Sequence, residues 1–294
     1  MGETMKRLPI ADPIRTSEIL HHYHLQAKKS LGQNFLTNPA VINSIVTTAE
    51  IAPGDQVIEV GPGIGALTEQ ILAQGAKLLA YEIDGKLIEV LTNELPADAQ
   101  IKILHQDVLQ TDFNKDFEGY FDPTKPVKVV ANLPYYITTP IIFRFLESGI
   151  PLESLTVMMQ KEVADRIEAQ PGKKDFGPLS IAVQLDMESH IALNVPPSSF
   201  TPAPKVDSAV VQIVRKAQPI RLPNKDLFNK IVKVSFAQRR KTIYNNLKHL
   251  VGQELQTIDD LHELLRAAAI AENRRAEQLS IADYLKLTEL VDAK

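Results

Sequence analysis

Between about Pro53 and Gln160, short runs of apolar and β-branched residues alternate with stretches whose apolar residues recur at helical spacing. Gln56–Val60, Lys77–Glu82, Ile101–Gln106, Val127–Ala131 and Leu155–Met159 read as strands, and Gly65–Gln74, Gly85–Glu94 and Thr138–Leu146 as helices between them. Apolar strands separated by helix-length segments imply a parallel sheet covered on both faces, a doubly wound α/β domain. Two helical stretches follow, near Lys161–Ala169 and Leu179–Met187, and then two further strands, His190–Val195 and Ser208–Val214. The segment Pro196–Pro204 between them holds four prolines, which exclude a regular element there. After the Pro-bearing stretch Gln218–Pro223 the pattern is all helical: Lys225–Ala237, Thr242–Leu250, Leu261–Ala269 and Ile281–Leu290. The expected organisation is an N-terminal extension (1–30), an α/β domain (31–220) and a smaller all-α domain (221–294).

Composition narrows the chemistry. A chain of 294 residues that is 44% hydrophobic can bury a sizeable core and a smaller companion. Cysteine is absent, which excludes disulfides, thiolate nucleophiles and cysteine-ligated metals. The first thirty residues lack the apolar core of a signal peptide, and no apolar run approaches a membrane span, so a cytoplasmic protein with no membrane partner is expected. Net charge is −4, but residues 223–250 hold seven basic residues against one acid. That segment carries +6 and the remainder −10, a concentration that suits either a solvated helix face or a local field for nucleic acid.

The first strand, Gln56–Val60, runs into Gly61-Pro62-Gly63-Ile64-Gly65 and then into helix. A strand, a glycine turn and a helix N-terminus bring backbone N–H groups close to a ligand. The G-x-G-x-G spacing differs from the G-x-G-x-x-G that seats a dinucleotide pyrophosphate, and alone it also suits a tight turn. Glu82 closes the second strand, 21 positions after Gly61, where an acid can accept from both ribose hydroxyls. Asp107 follows the third strand, where its carboxylate or a backbone neighbour can receive an adenine amino group. Either acid alone is better explained as a helix cap or turn residue; together with the glycine turn they point to an adenosine-bearing ligand in one crevice.

The fourth strand leads into Asn132-Leu133-Pro134-Tyr135. An exocyclic adenine amine is a poor nucleophile because its lone pair is delocalised into the ring. The Asn132 side-chain oxygen and the Leu133 carbonyl can each accept one N–H, turning that lone pair toward a methyl sulfonium. Pro134 fixes the turn and Tyr135 offers a ring for the purine. Positioning and oriented dipoles then carry the catalysis, with no strong base. A base reaching such a pocket must leave its stack, which favours single-stranded or deformed nucleic acid.

Gln33-Asn34-Phe35-Leu36, Glu59-Val60-Gly61-Pro62-Gly63-Ile64-Gly65, Glu82-Ile83-Asp84 and Asn132-Leu133-Pro134-Tyr135, in this order, resemble the ribosomal RNA adenine dimethyltransferase family over about residues 25–290. The similarity is greatest to its bacterial small-subunit branch, which dimethylates two adjacent adenines near the 3′ end of 16S ribosomal RNA. The resemblance implies a seven-stranded Rossmann-like methyltransferase sheet and S-adenosyl-L-methionine bound at Asn34, Leu36, Gly61, Gly63, Glu82, Asp107 and Asn132. It implies that Phe200 closes on the target base opposite Tyr135, although Phe200 could equally be an apolar staple for the proline loop. A monomer acting on a pre-ribosomal particle is expected. On the helix beginning near Lys225, the spacing turns Leu227, Phe228, Ile231, Val234 and Ser235 inward and sets Lys225, Asn229 and Lys233 opposite at i+4 steps, so that Lys233, with Arg239, Arg240 and Lys241 of the next segment, is expected on the RNA.

Four other readings remain open at this level. A small-molecule methyltransferase would keep the glycine turn without needing a basic tail; a DNA adenine methyltransferase would keep both. An RNA-binding assembly factor would use 223–250 and treat methylation as secondary. The large-subunit branch of the family shares the Asn-x-Pro-Tyr logic but is usually strongly basic, unlike this chain with pI about 6.0. His21, His22 and His24 lie in the extension, outside the family pattern, and no metal is expected there.

Overall fold

The computed structural model describes residues 8–220, 222 and 224–293. Residues 1–7 of the expected extension, Arg221 and Pro223 of the Gln218–Pro223 stretch, and Lys294 lie outside the described residues. The strands in chain order are β1 (Phe35–Leu36), β2 (Gln56–Val60), β3 (Lys77–Glu82), β4 (Ile101–His105), β5 (Val127–Asn132), β6 (Leu152–Gln160), β7 (Met187–Val195), β8 (Phe200–Thr201) and β9 (Ser208–Arg215). Seven of them form one sheet in the order β4-β3-β2-β5-β6-β9-β7, and β1 pairs with β8 in a separate two-stranded ladder. From β4 to β6 the pairs are parallel, while β9 runs antiparallel to β6. The expected seven-stranded doubly wound sheet is therefore present.

The strand order reverses between β2 and β5, the place where such sheets leave a crevice at their carboxyl ends. The register of β2 on β3 continues to Val60↔Tyr81, whereas that of β2 on β5 runs only from Gln56↔Val127 to Ile58↔Val129. Gly61 follows β2 and Asn132 closes β5, the two strands that part there.

The chain divides into two compact units. One comprises residues up to Ala164 together with Ser189–Arg215; the other comprises Asp165–Glu188 and the chain from Lys216 onward. This corrects the expected boundary, which assigned everything from 31 to 220 to the α/β domain. The reason is burial: Phe176, Ile181 and Leu185 share a core with Leu227, Phe228, Ile231, Leu264, Tyr284 and Leu287 of the tail. The backbone follows suit, for Gly172 N donates to Glu277 O at 2.7 Å.

The N-terminal extension is also corrected. Pro13–His22 is a helix capped by Asp12, and Ile10, Ala11 and Ile19 are buried in the same core as Leu36, Ile64, Leu67 and Leu91. Ile10 N donates to Glu69 Oε2 at 2.9 Å, tying the segment to the helix Ala66–Ala73. A second helix not expected from the sequence, Pro39–Thr48, is capped by Asn38. Between Pro196 and Pro204, where no element was expected, a 3-10 turn (Pro197–Ser199) and β8 fit between the prolines. Pro197 starts the turn, where its missing N–H costs nothing, and Phe200-Thr201 is proline-free.

In the helical unit, the expected inward positions Leu227, Phe228, Ile231 and Ser235 are buried. Val234, also expected inward, is only half-buried, and Val232 takes the buried place instead. Lys225, Asn229 and Lys233 are exposed, as the i+4 pattern predicts.

Candidate active site

The crevice at the carboxyl ends of β2 and β5 encloses about 1020 Å³, part of it open to solvent. Its walls include Asn34, Leu36, Gly61, Gly63, Glu82, Asp107, Asn132, Leu133, Pro134 and Tyr135, so the structure brings every expected cofactor residue into one cavity. Phe200 is not among them. It is 4% exposed in the core with Phe35 and Leu36, and its β8 pairs with β1 in the register Leu36↔Phe200. In this structure Phe200 serves as an apolar staple of the β1–β8 ladder. The same pairing explains why Gln33-Asn34-Phe35-Leu36 matters: Thr37 N donates to Ser199 O at 2.8 Å and Asn38 Nδ2 to Ser199 Oγ at 3.2 Å, fixing Asn34 at the cavity edge.

The glycine turn fits a ligand whose atoms approach the backbone. Gly61 and Gly63 have φ of +66° and +62°, a conformation that side chains rarely adopt, and a Cβ on Gly61 would meet no atom within 4 Å. Gly65 is required for a different reason. Its φ is +93°, and a Cβ there would sit 3.1 Å from Leu91, so its small size lets the helix start pack against the helix Gly85–Glu94.

Glu82 is buried, and Oε1 accepts from Ile83 N (2.8 Å) and Asp84 N (2.9 Å) while Oε2 accepts from Gly63 N at 3.3 Å. Burial raises the carboxyl pKa, and these three N–H bonds oppose that rise. Both lone pairs of Oε1 are engaged by backbone, whereas Oε2, with its one bond from Gly63 N, keeps spare accepting capacity. Asp107 is a cap as well as a wall: Oδ1 accepts from Leu109 N (2.9 Å) and Oδ2 from Gln110 Nε2 (3.0 Å). Asp84 does not line the cavity but secures its rim. Burial works against its charge, but Lys28 Nζ at 2.8 Å, Gln33 Nε2 at 3.2 Å and Lys86 N hold its carboxyl below the usual range.

At the end of β5 the side chain of Asn132 donates from Nδ2 to Asn34 O at 3.4 Å. Because a carbonyl can only accept, the bond orients the amide and leaves Oδ1 as a free-standing acceptor. Leu133 N donates to Met158 O at 3.0 Å, and Pro134 O accepts from Ile137 N (3.2 Å) and Thr138 Oγ1 (3.0 Å), closing the turn. The Tyr135 hydroxyl lies 2.5 Å from Ser208 Oγ, which holds the ring at the cavity wall; burial raises the phenol pKa. A fixed acceptor, a rigid turn and an anchored ring beside an adenosine-type crevice are what amine alkylation on a purine requires.

Residues 24–292 match the family described as ribosomal RNA adenine dimethylase. The chain belongs to that family. It is 51% identical over 292 residues to the ribosomal RNA small subunit methyltransferase A of Lactobacillus delbrueckii subsp. bulgaricus, covering 97% of each chain. It is 49% identical to the protein of the same name from Enterococcus faecalis, covering 96% of each. Among solved structures it resembles a dimethyladenosine transferase from Plasmodium falciparum, with TM-score 0.69 and 29% identity over 86% of this chain and 95% of that one. The 23S rRNA methyltransferase ErmE gives TM-score 0.64 and 25% identity, covering 88% of this chain and 100% of that one. Like the family, this adenine dimethyltransferase is an S-adenosylmethionine-dependent enzyme.

In this adenine dimethyltransferase two residues that line or support the cavity were not expected from the sequence. Glu59 is 1% exposed yet lines the cavity, accepts from Thr68 Oγ1 at 2.8 Å, and has its carboxyl pushed up to about 8 by burial. Its signal was a lone acid inside an apolar strand, which is costly unless used. Ser208 opens an ordinary-looking strand, and nothing local in the sequence links it to Tyr135.

The expected RNA-binding residues lie in the helical unit. Arg239, Arg240 and Lys241 form an exposed turn after the helix Lys225–Ser235, pinned from behind by buried Asn246, whose Nδ2 donates to Ser235 O (2.6 Å) and Gln238 O (3.2 Å). Arg239 also donates to Lys174 O, so part of its function is structural. His21, His22 and His24 are not gathered with acids: among the described residues no group of three or more His, Asp or Glu side chains is arranged to hold a metal ion. No helix among those residues is long and apolar enough to cross a membrane.

Proposed function

We propose that this enzyme converts two adjacent adenines near the 3′ end of small-subunit ribosomal RNA to dimethyladenines, acting as a cytoplasmic monomer on a pre-ribosomal particle. The small-subunit assignment is supported by 51% identity to a small-subunit methyltransferase, against 25% to a 23S enzyme. The observation that carries the chemistry is the Asn132 amide, oriented by Asn34 so that Oδ1 faces no internal donor among the described residues.

Asn34, Leu36, Gly61, Gly63, Glu82 and Asp107 hold the cofactor in this reading. Bound there, S-adenosylmethionine supplies an electrophilic methyl group on a sulfonium. The target adenine leaves its stack and lies on the Tyr135 ring, whose hydroxyl is held by Ser208. Its amine donates one N–H to Asn132 Oδ1 and one to the Leu133 carbonyl, which turns the lone pair toward the methyl carbon. The alkylated nitrogen is acidic and releases its proton without a dedicated base. A monomethylated amine keeps a single N–H, so the second transfer uses one of the two acceptors. Exposed Lys233, Arg239, Arg240 and Lys241 hold phosphates of the particle's RNA without reading bases.

The test is incorporation of labelled methyl groups into small-subunit particles from a strain lacking the activity, followed by nucleoside analysis. N6,N6-dimethyladenosine at two neighbouring positions, formed on immature particles in preference to mature ones, is the expected result. Label in large-subunit RNA, in DNA or at another atom would overturn the proposal.

A further inference from the structure

The turn after Asn132 carries a second tyrosine that the chemistry above does not use. Pro134 O accepts from Ile137 N at 3.2 Å, so Tyr135 and Tyr136 occupy the two corners of one turn. Tyr135 is anchored inward on Ser208, whereas Tyr136 is 54% exposed, among the most exposed large apolar side chains of the chain. Its ring lies against Gly32: a Cβ built on Gly32 would be 3.1 Å from Tyr136 Cδ1 and 3.4 Å from Cε1. Gly32 itself lines the cavity and has φ of +61°, so one side of the ring rests on the backbone of the cavity rim and the rest meets solvent. Lys29 is exposed on the same rim, one 3-10 turn earlier, with its carbonyl accepting from Gly32 N at 3.1 Å. The neighbouring Lys28 is committed to Asp84.

We propose that Tyr136 is a stacking subsite for the base next to the target adenine, with Lys29 available to the intervening phosphate. The proposal rests on the function given above. When one adenine swings out to Tyr135, its neighbour loses a stacking partner, and an exposed aromatic face at the mouth of the same cavity replaces it. A rim of one ring, one cation and a glycine backbone matches a nucleotide in a single strand. It has no reader for base edges, so the subsite is tolerant of sequence.

The test compares the parent with Tyr136→Phe, Tyr136→Leu and Tyr136→Ala on unmethylated small-subunit particles, measuring KM, single-turnover rate at saturation and S-adenosylmethionine affinity. Leucine keeps apolar bulk against Gly32 but offers no π face. Tyr136→Phe retains most of the activity, while the leucine and alanine variants raise KM roughly 5- to 100-fold, as expected for removal of one base stack, with cofactor affinity and saturated rate near the parent. An unchanged KM in Tyr136→Leu removes the subsite while leaving the function standing. A parallel loss of cofactor affinity also overturns it, because the ring would then be a prop for the Gly32 turn. A parent that forms no dimethyladenine removes the reaction, and the subsite with it.

Discussion

The hydroxyls of Tyr135 and Ser208 lie 2.5 Å apart, joining the turn after β5 to the first residue of β9. Ser208 is fully buried, so this bond is made in a low-dielectric setting and fixes where the Tyr135 ring stands. Ser208→Ala should slow methyl transfer by about 2- to 10-fold, the worth of one hydrogen bond of roughly 0.5–1.5 kcal/mol. If Ser208 acts through Tyr135, it should have no further effect in a Tyr135→Phe background. Additive losses in a double-mutant cycle would separate the two residues.

Glu82→Gln should weaken cofactor binding while sparing RNA binding. Glutamine can keep the Oε1 bonds to Ile83 and Asp84 N–H but presents an NH2 group where Oε2 faces Gly63 and the ribose side of the cavity. Loss of a charged acceptor should cost roughly 1.5–3 kcal/mol of affinity. Calorimetry on the folded variant checks this, and unaltered affinity would take Glu82 out of the cofactor site.

Glu59 makes stability depend on pH. Its carboxyl is pushed up to about 8 in the fold by burial, above its ordinary value of 4.5. Between those values the folded state binds more protons than the unfolded one, so this contribution is present at low pH and is lost as pH rises through about 8. Melting temperatures of Glu59→Gln should therefore fall less between about pH 5 and 8 than those of the parent. Parallel profiles for the two proteins would show that Glu59 is ionised throughout.

Much of the α/β architecture was legible because its signals are periodic and local. Strands of five or six mostly apolar residues spaced by helix-length segments specify the sheet, and the glycine turn with Glu82, Asp107 and Asn132 marks the crevice. What was not legible depends on distant partners. β1 and β8 have only two residues each, too short to carry an alternation, and exist because they pair with each other. Asp165–Glu188 reads as helix either way, and only its burial against Leu227, Phe228 and Tyr284 assigns it to the tail. The missed helices at Pro13 and Pro39 did carry a signal, for each follows Asp or Asn at the cap with proline at the first helical position.

Arg240→Ala together with Lys241→Ala should weaken RNA binding and flatten its dependence on salt, the log–log slope falling by about 0.7–0.9 for each phosphate no longer neutralised. Arg239 is left in place because its bond to Lys174 O ties down the turn. Cofactor affinity should not change. A slope equal to the parent's would make these residues ordinary solvated surface.

In the proposed reaction Asn132, held by Asn34, acts on the adenine amine during transfer. The direct measurement is the single-turnover rate of methyl transfer by Asn132→Ala at saturating small-subunit particles and cofactor, with cofactor affinity measured on the same preparation. The rate should fall by about 10²–10³-fold with binding largely retained, the size expected when one preorganised polar group is removed from a transition state. A rate within about threefold of the parent would mean that Asn132 does not stabilise that transition state.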